Sequence, residues 1–307
     1  EFLAALTLTV VPGTPHARPA SPYTCKHTSS SSDIRRPTPG QPRRDVRARD
    51  APSERDFASE LTLRRAEVAA NEVWNPGAGP TKAAAEQISP HLHPGAVVVN
   101  KSTVPVGSTL LVEQALGRSD IPVVSNPEFL REGSAVDDFL HPDRVVIGSD
   151  DQAAADRVAS LYADCGAPVM QTDPASAETC KYAANAFLAT KLSFANAIAA
   201  VCEAVGADVN DVLLGMGYDH RIGHEFLRPG PGWGGSCLPK DSTAIISIAD
   251  DAGYDFALMR GVVEANQEQF DRIVRKVESV VRLDGATVGV LGIAFKAGTD
   301  DTRESPA

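Results

Sequence analysis

Pro174 to Val205 reads as one long helix that is apolar on several sides at once, carrying Tyr182, Phe187, Leu188, Leu192, Phe194 and Ile198. A helix hydrophobic on more than one face has to be buried by more than one neighbour. The expectation is a helical middle domain whose remaining stripe pairs with a second copy of the chain, with Phe256 to Leu283 returning as another long helix. Ahead of it the pattern is α/β: a helix over Thr81 to His91, a buried strand over Ala96 to Asn100, a helix after Gly107, then strands at 121–124 and 144–148. The unbroken run Val97-Val98-Val99 suits a parallel sheet covered on both faces, and the alternation with helices makes half of a doubly wound sheet. Behind it, residues 286–295 read as a strand entering a glycine turn.

The 307 residues suffice for two ordinary domains and a cleft between them. Residues 1–60 read differently from the rest, since Pro12, Pro15, Pro19, Pro22, Pro37, Pro39, Pro42 and Pro52 punctuate a Ser/Thr/Arg-rich stretch with no sustained helical or strand period. Such a composition buries too little apolar surface to order itself. Arg35-Arg36 and Arg43-Arg44 are solvated charge there, or the mark of a nucleic-acid tail. The whole chain carries a formal charge of -11, which argues against bulk nucleic-acid binding but leaves room for an anionic metabolite held by a few local cations and amides. The five cysteines Cys25, Cys165, Cys180, Cys202 and Cys237 are odd in number and lack metal-type spacing, so neither a disulfide framework nor a metal site is expected and a reducing, cytoplasmic setting is. No stretch reads as a bilayer span, and the opening Phe2-Leu3-Ala4-Ala5-Leu6 is too brief and unflanked for a leader.

The densest chemistry lies in Gly234-Gly235-Ser236-Cys237-Leu238-Pro239-Lys240-Asp241. A thiolate is stabilised by nearby positive charge or a helix N-terminus, and a helix opens here with Pro239 in its first turn. Cys237 is therefore a candidate nucleophile; its plainer role is that of a small buried hydrophobe. Lys181 and Asn185, four apart on the long helix, share a face about 6 Å apart. The surrounding Ala183, Ala184, Phe187 and Ala189 would bury the lysine and oblige it to find a partner. The segment Asn126-Pro127-Glu128-Phe129-Leu130-Arg131-Glu132-Gly133 follows a strand, where the ligand-binding loops of doubly wound sheets lie; it is either a pair of working carboxylates or a surface helix start. Lys101-Ser102-Thr103-Val104-Pro105-Val106-Gly107 also follows a strand and offers hydroxyls to a ligand or an N-cap.

Taken in order, residues 101–107, 126–133, the Lys181/Asn185 helix, Gly232-Trp233-Gly234-Gly235-Ser236-Cys237-Leu238-Pro239-Lys240-Asp241, and Phe295-Lys296 followed by Asp301-Thr302-Arg303-Glu304-Ser305 resemble the UDP-glucose/GDP-mannose dehydrogenases. The resemblance covers roughly residues 80–307. It implies a partial Rossmann-type sheet over 76–150, a central helical dimerisation and catalytic domain over 151–283, and the truncated start of a sugar-nucleotide domain over 284–307, with 1–75 an aberrant or disordered segment. It further implies NAD-dependent oxidation of a nucleotide sugar at C6 to a carboxylate by two hydride transfers, with no metal. Cys237 matches the nucleophile, which passes through a thiohemiacetal and a thioester. Lys181 and Asn185 match residues that hold the C6 oxygen, Asp241 the group that positions water, and Glu128 the carboxylate of thioester hydrolysis, with Thr103 beside it. Thr103, Glu132, Lys240 and Arg303 match cofactor contacts. Glu128, Phe129, Leu130, Lys181, Asn185, Arg221, the loop Phe226-Leu227-Arg228-Pro229-Gly230, Gly234 and Lys296 match substrate contacts, Arg221 reaching a neighbouring subunit's site. Phe226-Leu227 and Gly232-Trp233-Gly234 look closer to the UDP-glucose branch, although GDP-mannose and N-acetylated UDP-sugar enzymes share most of these motifs.

One departure matters. The family opens with a strand and a Gly-x-Gly-x-x-Gly turn for the dinucleotide pyrophosphate, and no such motif occurs in this sequence. The first half of the cofactor domain is expected to be missing and the last domain to stop after its first strand. An inactive helical dimerisation remnant is thus the competing expectation. A simple hydroxyacid dehydrogenase would explain the helix and its lysine but not Cys237.

Overall fold

The computed structural model describes residues 8–11 and 79–307; the expectations for the rest of the opening segment lie outside the described residues. Five strands form one sheet in the order β1-β2-β3-β4-β5: β1 Leu8–Val11, β2 Val97–Asn100, β3 Val123–Ser125, β4 Val145–Gly148 and β5 Val169–Thr172. Helix α1 (Gly79–Ile88) precedes β2, α2 (Ser108–Leu116) joins β2 to β3, α3 (Ala135–Leu140) lies between β3 and β4, and α4 (Gln152–Ser160) joins β4 to β5. The helices α5 (Pro174–Val205), α6 (Val209–Gly217), α7 (Leu238–Asp251) and α8 (Ala257–Val280) follow.

Period-two alternation divides β2 between two cores. Val98 joins Val123, Ala84, Ala85, Val112 and Leu116 on the face of α1 and α2, while Val97 and Val99 join Val124, Val145, Ile147 and the α4 residues Ala155 and Val158 on the other. Both faces are covered, as the valine run requires. The pairing differs from a wholly parallel sheet. β2–β3 and β4–β5 are parallel, whereas β3 meets β4 antiparallel with Ser125 opposite Gly148. The connection 126–144 leaves β3 and feeds β4 at the same edge of the sheet, so β4 has to run back along its neighbour.

Two further expectations are corrected. Leu8–Val11 lies in a segment with no anticipated strand, yet it pairs antiparallel with β2 from Leu8↔Asn100 to Val11↔Val97; Leu-Thr-Val-Val has the β-branched content to add to an open edge. Conversely, residues 286–293 form no strand, and Leu291 is 99% exposed. A strand exists through its partner's hydrogen bonds, and among the described residues none pairs with this one. Helices α3, α4 and α6 and strand β5, none longer than nine residues, were not anticipated from the sequence.

Helix α5 is long and apolar enough to cross a bilayer by length and composition alone, which the sequence reading did not recognise. Its polar side chains, however, find protein partners. Ser193 Oγ accepts a hydrogen bond from Trp233 Nε1 at 2.9 Å and donates to the Val262 carbonyl at 3.0 Å. Asn196 Oδ1 accepts one from Gly230 N at 2.8 Å. Ala186, Ala189, Trp233, Met259 and Val262 make the core where α5 meets α7 and α8.

Trp233 is clamped from α8, since Asn266 Oδ1 accepts from its backbone N at 2.8 Å and Asn266 Nδ2 donates to its carbonyl at 2.9 Å. Both groups are buried. Asn266→Ala strands a buried donor and a buried acceptor and is expected to cost about 2–4 kcal/mol. Urea unfolding followed by tryptophan fluorescence measures it, and a change below about 0.5 kcal/mol would mean the clamp does not hold the domain.

Candidate active site

Asp173 caps α5 by accepting from Ser176 N at 2.8 Å, and Pro174 sits in the first turn. With the helix so started, Glu178, Lys181 and Asn185 fall at spacings of three and four along one face. Cys237 caps α7 at its N-terminus, and Asp241 N donates to the Cys237 carbonyl at 2.8 Å, closing the first turn. Beside their apolar contact a short bond joins the two helices: Asn185 Nδ2 donates to Asp241 Oδ2 at 2.5 Å. Asp241 is 1% exposed. Lys240 Nζ lies 3.2 Å from its other oxygen, Oδ1, which has no hydrogen-bond partner among the described residues; the ammonium is close but poorly aligned. Cys237 is exposed, its sulfur 3.6 Å from Ser236 Oγ. The neighbouring Tyr182 is buried, and that burial, followed by the charges of Asp241 and Glu178, pushes its phenol pKa upward.

The loops after β2 and β3 supply a second wall. Lys181 is buried and its Nζ stands 3.5 Å from Glu128 Oε1, while Glu128 Oε2 accepts from Leu130 N at 2.7 Å. The Phe129 ring lies under two cations, Arg144 at 3.8 Å and Lys181 at 5.4 Å from its centroid. At the base of the Thr103 loop, Lys101 Nζ donates to Asn126 Oδ1 at 2.9 Å and to Tyr162 Oη at 2.8 Å, and Asn126 Nδ2 donates to the Val146 carbonyl at 2.8 Å. Arg131 pairs with Asp138 on α3, whose carboxylate also accepts from Arg131 N and Ser134 Oγ.

A third wall comes from residues 295–305. Gly235 N donates to the Arg303 carbonyl at 3.0 Å, and Lys296 Nζ donates to the Glu132 carbonyl at 2.8 Å. A Cβ on Gly234 would stand 1.7 Å from the Glu304 carbonyl oxygen, and one on Gly235, whose φ is +83°, would strike the Phe295 ring. Both glycines are needed for this approach. Arg303 forks onto Asp301, holding that carboxyl down at about 2. Burial and the Asp301 charge push the Glu132 carboxyl up. The Arg303 pKa is raised chiefly by its bond to Asp301, with smaller contributions from Glu132 and Cys237. These four groups share one neighbourhood.

Of the residues singled out from the sequence, Glu128, Phe129, Leu130, Lys181, Asn185, Cys237, Lys240 and Asp241 are brought together, with Glu132, Lys296, Arg303 and Gly234 on the adjoining wall. Thr103 is half-buried in the loop after β2. The loop 226–230 is tied down elsewhere, by Asn196 and by Gln269, whose Nε2 donates to the Gly230 carbonyl at 2.7 Å; Leu227 is buried, Arg228 exposed, and Phe226 has a positive φ of 61°. Arg221 is exposed and pairs with Asp219 of its own chain. Sequence reasoning missed Glu178 and Arg144, and quoted Lys101 and Asn126 within their motifs without giving either a role. Glu178 had a usable signal, standing one turn ahead of Lys181 in a helix otherwise rich in alanine.

The family model for the UDP-glucose/GDP-mannose dehydrogenase NAD binding domain matches residues 78–165, and that for the central domain matches residues 175–268. This chain belongs to the UDP-glucose/GDP-mannose dehydrogenase family. Over 232 residues it is 52% identical to the UDP-glucose 6-dehydrogenase TuaD of Bacillus subtilis, covering 74% of this chain and 50% of that protein. It is 46% identical over 238 residues to a UDP-glucose 6-dehydrogenase of Pseudomonas aeruginosa, covering 73% and 52% respectively. A UDP-glucose dehydrogenase structure from Pyrobaculum islandicum superposes with a TM-score of 0.68 at 40% identity, over 74% of this chain and 54% of that one. This family member spans about half the length of the curated relatives it matches.

The Asp138 carboxyl, 8% exposed and held at about 2 by Arg131, shapes the Glu128–Gly133 loop. Its folded pKa lies below the ordinary 3.8, so its contribution is complete above about pH 4 and is lost as pH falls through about 2. Because Arg131 is largely exposed and water screens the pair, the contribution is about 1–2 kcal/mol. Asp138→Asn is expected to remove that much at pH 7 and only a small fraction of it near pH 2, as read from unfolding midpoints; an equal loss at both pH values would refute the pairing as its source.

Proposed function

We propose that the site oxidises the C6 alcohol of a nucleotide sugar, UDP-glucose by preference, to the carboxylate of UDP-glucuronate. The observation that carries this reading is the Asn185–Asp241 bond at 2.5 Å, which sets the Lys181/Asn185 face of α5 against the first turn of α7 begun by Cys237. NAD, when bound, supplies the acceptor for two hydrides. Residues that suit its nicotinamide end are Thr103 and Glu132, in the loops that follow β2 and β3, and Lys240 and Arg303, which flank the Cys237 turn, since open α/β sheets bind ligands beyond the carboxyl ends of their strands. For the pyrophosphate end the sequence offers no glycine turn.

The chain's own groups do the remaining work. Lys181 and Asn185 hold the C6 oxygen and stabilise negative charge building on it. Once the alcohol has become an aldehyde, the Cys237 sulfur adds to C6 and the carbonyl oxygen takes up a proton, giving a thiohemiacetal. Departure of a second hydride from C6, with the hydroxyl proton released to solvent, leaves a thioester. Water oriented by Asp241, with Glu128 as proton acceptor, then breaks the C–S bond and releases the acid and the free thiol. Residues 226–230, Arg221 and Lys296 are assigned to the sugar nucleotide, Arg221 serving the partner's site.

Phe187, Phe194 and Val201 recur every seventh residue on α5 and are 65%, 47% and 55% exposed, a stripe suited to a second copy of the chain. Free thiols at Cys165, Cys180, Cys202 and Cys237 suit a reducing, cytoplasmic setting.

Incubation of the chain with NAD and UDP-glucose is expected to give two NADH per UDP-glucuronate, and Cys237→Ala to lower acid formation by at least about 100-fold, as followed by absorbance and mass spectrometry. Undiminished acid from Cys237→Ala would overturn the covalent route. No NADH, together with no calorimetric binding of NAD, would rule out activity in this chain and favour a helical remnant, while leaving its family membership intact.

A further inference from the structure

Glu178 has no part in the chemistry above, yet it is a buried carboxylate with three donors bound to it. It lies on α5 one turn before Lys181 and is 2% exposed. Its Oε2 accepts from Gly107 N at 2.6 Å; its Oε1 accepts from Thr109 N at 2.9 Å and from Thr109 Oγ1 at 2.8 Å. Gly107 caps α2 in a left-handed conformation and offers no side-chain cap of its own, so the amides that open α2 are satisfied by a carboxylate from another element. Those amides end the loop that carries Thr103. Burial pushes the Glu178 carboxyl up, and the bonds from Thr109 and Gly107 oppose that shift.

We propose that Glu178 is a positioning residue: its carboxylate fastens the loop 101–107 to α5 at a fixed height relative to Lys181, so that Thr103 and the Lys181/Asn185 face keep one geometry. The proposal rests on the reading of that face as the reacting site. Every partner of the carboxylate is a donor, so a glutamine amide at this position would turn its nitrogen toward a backbone N–H. Loss of the tie leaves Lys181 paired with Glu128 and Asn185 with Asp241 but frees the loop by an ångström or so, a displacement that costs reaction rate more than binding.

The test is Glu178→Gln in the full chain, with turnover and amide hydrogen exchange measured together. Expected are a fall in kcat of about tenfold or more with KM for the nucleotide sugar within about threefold, and exchange at residues 103–109 faster by about tenfold while residues 242–250 on α7 keep their protection. Glu178→Ala should lose the same protection and regain it in sodium formate, but not in sodium chloride of equal ionic strength, because the vacated donors accept a small carboxylate. Unchanged exchange at 103–109, or a loss of protection spread equally over α7, would overturn the proposal. If the unsubstituted chain makes no NADH, the assigned reaction fails for this chain, and the exchange and formate measurements still decide the tie.

Discussion

One helix face organises this protein. Along α5, Glu178, Lys181, Asn185, Ser193 and Asn196 each place a polar group where water is scarce and each finds its partner on a different element: the start of α2, the loop after β3, the first turn of α7, Trp233 with the Val262 carbonyl, and the loop before Trp233. A buried polar group without a partner costs on the order of 1–3 kcal/mol, so every one of these contacts fixes the register of the helix against something else. The apolar residues between them supply most of the burial, but they would tolerate sliding and rotation. The directed bonds would not.

That requirement also ties the sheet to the helical layer. β4 ends against the opening of α5, where a Cβ on Gly148 would lie 2.5 Å from Ala177 Cβ and 2.8 Å from the Asp173 carbonyl oxygen. The parallel strands β2 and β3 end at one edge, and α5 crosses it, so loops from the sheet and side chains from the helix reach one region from opposite sides. The site residues therefore come from two layers, at the strand ends where open α/β sheets generally bind ligands.

Much of this was legible in the sequence. Valine runs announced a sheet covered twice, and the apolar breadth of 174–205 announced a helix with several neighbours. The order of five motifs marked the residues that the fold brings together, although they come from segments more than a hundred residues apart. What stayed illegible was set by pairing at a distance. Nothing local in Val123–Ser125 or Val145–Gly148 distinguishes a parallel neighbour from an antiparallel one, and residues 286–293 have a strand's composition without a strand's partner. Glu178 was missed although it stands one turn ahead of Lys181, because an acidic residue early in a helix usually faces solvent and it is the approach of Gly107 and Thr109 that buries this one.

The antiparallel run of β4 brings Arg144, at its start, to the edge where β3 ends, and there it stacks on Phe129 with Lys181 nearby. An aromatic face anchors a cation without neutralising it, unlike a carboxylate. Glu128 stands beside Lys181, whereas Arg144 is held here by the aromatic face and keeps its charge on a body whose formal charge is -11. A cation held in this way attracts an anion that reaches the rim, with a pull that weakens as added salt shortens the screening length.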